Sequence, residues 1–279
     1  MAHEQVWLLG ETLKNIQKDF ENVIPRVPII AGGAIRDIYF PKQDRTKDYD
    51  VFLHIPDKTS EEIDDIVYEY GLTIIDNICK KLSIKSTDYF VVKKEFSQYI
   101  DNTMPMPATR ITDAQFQTNT FSVYDLTPRD TFDHLVLSFP IQLVVRNEKI
   151  LLEKDCLSFL DTFDYSLVKC MFDPLDMQYK ISEELKTVLE TKELIIDFSK
   201  FPNDTAIWIT YRRALGALRN FAAWSLKNTN DRTFDESINR TIASPDIKLV
   251  VKREGFADQT YDLRVQEDYN AAYKVLKML

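Results

Sequence analysis

Three residue types at a narrow spacing stand out in this chain as capable of chemistry. A short apolar stretch, PIIAGG, ends in Gly32 and Gly33, and the residues that follow, AIRDIYF, carry Arg36 and Asp37. Farther along, DYDVFLHI carries Asp48 and Asp50, separated by a single residue. Two glycines between a strand and a helix let backbone amides approach phosphate oxygens, and the dipole of the helix favours the negative charge. Aspartates two apart on a strand project from one face, so their carboxylates can share a divalent cation. A carboxylate pair repels phosphate unless a cation bridges the two, and the glycines bring phosphate within its reach. The chemistry expected of this set is therefore metal-assisted work on a phosphate ester.

Elements must position these groups. Val6, Leu9, Leu13, Ile16 and Phe20 recur at helical spacing, which predicts an opening amphipathic helix over 5–22 ended by Pro25 and Pro28. PIIAGG reads as a strand, AIRDIYF as a helix closed by Pro41, and DYDVFLHI as a second strand. In that strand Tyr49, Val51 and Leu53 face one way and Asp48, Asp50 and Phe52 the other. Residues 60–82 predict a helix capped at Ser60, with Glu61 and Glu62 in its first turn. Residues 88–126 read as strands and loops, and HLVLSFPIQLVV (134–145) as a strand that Pro140 confines to an edge or a bulge. Beyond 150 the pattern turns helical, the longest candidate being 204–228 and the last 266–278. The expected fold class is α+β: a mixed sheet flanked by helices over residues 1–150, followed by a mainly helical domain over 151–279.

Taken together, GGAIRDIYF and KDYDVFL resemble the GG-x-x-R-D … D-x-D signature of the DNA polymerase β-like nucleotidyltransferase superfamily. The nearest members are the tRNA CCA-adding enzymes and bacterial poly(A) polymerases. The match is dense but covers only about 25 residues, 29–53. The resemblance implies a palm domain in which Gly32 and Gly33 hold triphosphate and Asp48 and Asp50 ligate Mg²⁺ and carry catalysis. It also implies that Arg36 and Asp37 brace the turn, with Arg36 near the nucleotide; within the chain alone they read equally as an internal ion pair. TNTFSV (118–123) is similar to a strand of the CCA-adding enzymes that carries an Asn, here Asn119, although Thr120 replaces their small residue. YRRALGALRNFAAW (211–224) is similar to their arginine-rich neck helix, with Arg212 and Arg219 toward the nucleotide; a basic surface stripe is the other reading of these arginines. The pattern also departs from the family. A third carboxylate is expected on a later strand, where PIQLVV offers the neutral Gln142. Asp113, Asp125, Asp133 and Asp164 are the alternatives.

The implied activity is transfer of a nucleotide from an NTP, ATP among the candidates, to a hydroxyl acceptor such as a tRNA 3′ end, another RNA, a protein side chain or a small molecule. The missing third carboxylate keeps open a nucleotide-binding pseudoenzyme, and coincidental motifs would leave a regulatory or interaction protein. GxGxxG is absent, which speaks against a Rossmann reading, and the absence of GxxxxGK[ST] excludes a P-loop. The net charge of −9 speaks against a protein that coats nucleic acid. It is unevenly spread: residues 206–253 hold nine Lys/Arg against four Asp/Glu, a local +5, whereas 1–205 hold 23 against 35. The basic segment is the expected dock for a tRNA end. Three widely spaced cysteines, Cys79, Cys156 and Cys170, suit reduced thiols in the cytoplasm. No apolar run reaches the roughly 20 residues of a membrane span, and no basic leader opens the chain.

Overall fold

The computed structural model describes residues 2–39, 48–83, 89–93, 120–128, 141–201, 204–219, 224–228, 231–234 and 247–278. They form two compact units. The first comprises Met1–Ile38, Thr46–Thr162 and Cys170–Ile181; the second comprises Tyr39–Arg45, Phe163–Lys169 and Ser182–Leu279. The class is α+β, with a mixed sheet flanked by helices.

The first unit opens with α1 (Ala2–Phe20). Its apolar stripe of Val6, Leu9, Leu13, Ile16 and Phe20 is buried throughout, as an amphipathic helix on a sheet requires. Then follow β1 (Ile29–Ala31), α2 (Gly33–Tyr39), β2 (Tyr49–Leu53) and α3 (Ser60–Leu82). The cap of α3 is Thr59 rather than Ser60. Its hydroxyl accepts from the Glu62 amide while the Glu62 carboxylate accepts from the Thr59 amide, a reciprocal capping box. Strands β3 (Tyr89–Lys93), β4 (Thr120–Pro128), β5 (Ile141–Arg146), β6 (Cys170–Asp173) and β7 (Gln178–Ile181) complete the sheet, whose order is β3-β4-β5-β2-β1-β6-β7. Strands β2 and β5 run parallel and every other pair is antiparallel. Helices α1 and α3 pack on each other and on the sheet.

Strand β5 is interior, between β2 and β4, and not the edge that Pro140 implied. Pro140 itself lies outside the described residues, which resume at Ile141. A buried charge network secures β6 and β7. Arg26 donates to Asp173 at 2.7 Å and to the carbonyls of Glu153 and Val27, while Lys180 donates to the same Asp173 oxygen at 2.8 Å. Asp173 is wholly buried, so two cations and the Leu175 amide compensate one desolvated carboxylate. This holds β6 beside β1, where it meets the glycine turn.

The second unit holds α4 (Glu183–Thr191), β8 (Glu193–Asp197), α5 (Asp204–Arg219), β9 (Trp224–Asn228), β10 (Asp231–Phe234), β11 (Lys248–Lys252), β12 (Gln259–Tyr261) and α6 (Gln266–Leu276). It differs from the mainly helical expectation. Strands β8, β11 and β12 form a three-stranded sheet and β9 pairs with β10. The runs that form β8 and β11, ELIID and KLVVK, are short and rich in β-branched residues, and they stabilise each other only once paired. The helix expected over 204–228 stops at Arg219, and Trp224–Asn228 is a strand. Residues 151–168 form 3₁₀ turns in place of the regular helix their pattern suggested. The Tyr211 hydroxyl donates to the Ala272 carbonyl at 2.8 Å and ties α5 to α6. Among the described residues no helix is long and apolar enough to cross a membrane.

Candidate functional site

Gly32 sits between β1 and α2 with φ of 83°, the left-handed region that costs an L side chain roughly 1–2 kcal/mol. Its three backbone connections define the turn. The Gly32 amide donates to the Cys170 carbonyl at 3.1 Å, and its own carbonyl accepts from the Arg36 amide at 3.0 Å, opening α2. The Cys170 thiol lies 3.7 Å from that same carbonyl. The Gly32 amide is thus committed to β6 and is not free to face outward. Gly33 is the first helical residue, and its open side would admit a Cβ whose nearest neighbour, Arg36 Nη2, is 3.8 Å away. A backbone left bare there allows close approach from outside.

Arg36 and Asp37 are both buried, and the guanidinium donates twice to one Asp37 oxygen, at 2.8 and 3.0 Å. The ion pair lies inside the first turns of α2 and beside Cys170. Burial pushes the Cys170 thiol far above its ordinary range, with Arg36 pulling down and Asp37 pushing up. Cys170 is therefore a protonated structural thiol. Nothing in the local sequence marked it as a partner of the glycine turn, because β6 arrives 138 positions later.

Asp48 stands just before β2 and Asp50 within it; both are half-buried, whereas Tyr49, Val51 and Leu53 are wholly or almost wholly buried. The Tyr49 hydroxyl donates to Gln5 of α1 at 2.8 Å, so that side of β2 lies under α1. By strand alternation the two aspartates take the opposite face. Phe52 shares their face and packs on Phe159 with ring centroids 5.2 Å apart.

Register joins the two halves of the motif. Ala31, the residue before Gly32, is the partner of Asp50. On the other side Asp50 pairs with Gln142 of β5, and Gln142 pairs with Asp125 of β4. Ala31, Asp50, Gln142 and Asp125 therefore form one row across four strands. Gln142 is buried, with 8% of its surface exposed. Of the other candidate carboxylates, Asp164 belongs to the second unit and pairs with Arg213 at 2.9 Å, and Asp113 and Asp133 lie outside the described residues. Among the described residues no group of three or more His, Cys, Asp or Glu forms a metal site. The acidic set on β2 is a pair.

Gly32, Gly33, Arg36, Asp48 and Asp50 thus lie together in the first unit. Arg212 and Arg219 lie on α5 of the second. The Arg212 guanidinium is 5.3 Å from the Trp208 ring, a cation–π contact, and Arg219 ends the helix. Asn119 lies outside the described residues, directly before β4. No known family model matches this chain, and no characterised protein matches its sequence.

Proposed function

We propose that the chain is a Mg²⁺-dependent nucleotidyltransferase, with a palm in its first unit, that moves a nucleotide from an NTP to a hydroxyl acceptor. The observation that carries the reading is the pairing of Ala31 with Asp50. It sets the glycine turn and the two aspartates side by side on adjacent strands.

The donor set fits the cation. Magnesium is commonly held by one or two carboxylates, with water and substrate phosphate completing its shell. Asp48 and Asp50 offer two, half-buried and on one face. Once bound there, the ion supplies Lewis-acid stabilisation of charge on the phosphate. The chain's own residues supply the rest. Gly33 and the start of α2 offer backbone amides to the β- and γ-phosphates, and Gly32 sets the angle at which that helix begins. Arg36, neutralised by Asp37, keeps the turn rigid and presents a guanidinium edge beside Gly33. Asn119, Arg212 and Arg219 are the proposed contacts to base, sugar or phosphate.

The proposed acceptor is an RNA 3′ end, that of a tRNA among them, docking on the basic 206–253 segment. The three cysteines are buried and free, which suits a reducing cytoplasm. One observation favours a second reading. Gln142, next to Asp50 in the row, is neutral where a third carboxylate would sit, and a nucleotide-binding protein without turnover would tolerate that.

The test is transfer of label from each α-³²P NTP in turn, with Mg²⁺ and pooled tRNA, by the wild type and by Asp48→Asn and Asp50→Asn. Losing a group that merely supports a metal ligand costs roughly 10–100-fold, so losing a ligand should cost at least about 100-fold. Full activity in the double variant would sink the assignment. Binding of NTP without transfer to any acceptor would favour the second reading.

A further inference from the structure

Among the described residues, one edge of the Arg253 guanidinium has no acceptor: Nε and Nη2 are both buried, and neither has a hydrogen-bond partner. Arg253 directly follows β11, so it lies off the carboxyl ends of the parallel pair β8 and β11, whose last partners are Asp197 and Lys252. Its guanidinium carbon stands 4.8 Å from the centre of the Phe198 ring, in the 3₁₀ turn Phe198–Lys200 that leaves β8. Burial pushes the hydroxyls of Tyr211 and Tyr261 up and Arg253 pulls both back, which places its charge near them. Those hydroxyls donate elsewhere, to the Ala272 carbonyl and to Gln259. Two carboxylates at this end are engaged as well. Asp197 accepts from Ser199 at 2.7 and 3.1 Å, and Asp258 pairs with Lys252 at 3.4 Å. A charged donor left unpaired in the interior bears its full desolvation penalty, and the ring face returns only part of it.

We propose that Arg253 anchors an oxyanion site at the ends of β8 and β11, taking a phosphate or carboxylate group through Nε and Nη2. These two nitrogens lie side by side on the guanidinium and form the fork that matches two oxygens of such a group. The carboxyl ends of parallel strands are also where α/β sheets hold their ligands. The chain that follows is an open turn. The Phe256 amide donates to the Arg253 carbonyl at 3.2 Å, Gly255 has φ of 78°, and a Cβ there would meet nothing within 4 Å. Arg253 as a whole is half-buried, and its guanidinium meets an arriving anion by turning off the Phe198 ring. The site lies within the second unit and is independent of the proposed transferase chemistry.

The experiment is calorimetric titration of the full chain, without divalent cation, with inorganic phosphate and separately with acetate, for wild type, Arg253→Met and Arg253→Lys. The wild type should bind one of the two saturably, with Kd on the order of 1 mM or tighter, and the anion it prefers names the group. Arg253→Met should raise that Kd at least about ten-fold, as expected for loss of hydrogen bonds from a charged donor. Arg253→Lys keeps the charge without the fork and should recover part of the affinity; full affinity there overturns the fork. Should the methionine variant not fold, the ¹⁵N–¹H signal of Arg253 Nε in the wild type, identified by its absence from the lysine variant, decides, because the bound anion should shift it. An unmoved signal, no saturable binding by the wild type up to about 10 mM, or equal affinity in Arg253→Met overturns the proposal.

Discussion

Gly32 and Cys170 are joined through both backbone polar groups of the glycine: the Gly32 amide donates to the Cys170 carbonyl at 3.1 Å, and the Cys170 thiol approaches the Gly32 carbonyl at 3.7 Å. The strand carrying Cys170 thus sets where α2 begins. The two glycines consequently have different jobs. Gly32→Ala forces an L side chain to φ of 83° and should lower stability by about 1–2 kcal/mol. Gly33→Ala meets nothing closer than 3.8 Å and should change stability by less than about 0.5 kcal/mol. On the proposed function NTP binding should fall in Gly33→Ala, because a methyl group there would stand between the α2 amides and phosphate. Urea denaturation and NTP titration of the two variants check the pair; equal destabilisation would show that the turn is not held as described.

Gly10 offers a test of the first unit's packing. It lies in α1, and a Cβ there would intrude on the ring of Phe172, itself fully buried and packed between Trp7 and Tyr179 at 5.8 and 4.8 Å. Alanine improves helix propensity by about 1 kcal/mol. Overpacking a rigid ring costs about 1–3 kcal/mol. Gly10→Ala should therefore be net destabilising, read as a lower urea midpoint at unchanged m-value.

The opposite sign is expected at Tyr70. Its ring meets Phe20 edge-on at 4.9 Å, and its hydroxyl is buried without a hydrogen-bond partner among the described residues. Burial alone pushes the hydroxyl well above the ordinary tyrosine range. Tyr70→Phe removes the unsatisfied group and keeps the ring. Stability should hold or rise by up to about 1–2 kcal/mol, measured by thermal or urea unfolding. A clear loss would mean that the hydroxyl has a partner in solution.

Glu62 gives α3 a pH-dependent start. The Thr59 amide first, then Lys58 and the Thr59 hydroxyl, hold its carboxyl at about 2, below its ordinary 4.5. Because the folded value is the lower one, the contribution is complete above about 4.5 and is lost as pH falls toward 2. The group is exposed, so water screens the effect and the expected change is small. Comparing Tm of wild type and Glu62→Gln from pH 6 to pH 2 should show a gap that closes across that window. A gap constant down to pH 2 would mean that the capping box is not formed.

The sequence alone determined the local elements around the motif. Apolar spacing marked α1 and a cap with an acidic first turn marked α3, each within a few residues; the glycines marked the break between β1 and α2, and alternation in DYDVFLHI separated Asp48 and Asp50 from Tyr49, Val51 and Leu53. These features depend on side-chain period and backbone freedom, which act over a few residues. Tertiary structure decided what meets what. Cys170 against Gly32, Gln142 beside Asp50, and Arg26 with Asp173 are contacts across tens to more than a hundred positions. Short strands such as ELIID and KLVVK acquire their conformation from pairing with each other, so their identity was hidden within a stretch that reads as helical. Pro140 suggested an edge or a bulge, but the interior place of β5 is set by pairing with β2 and β4, which no local pattern encodes.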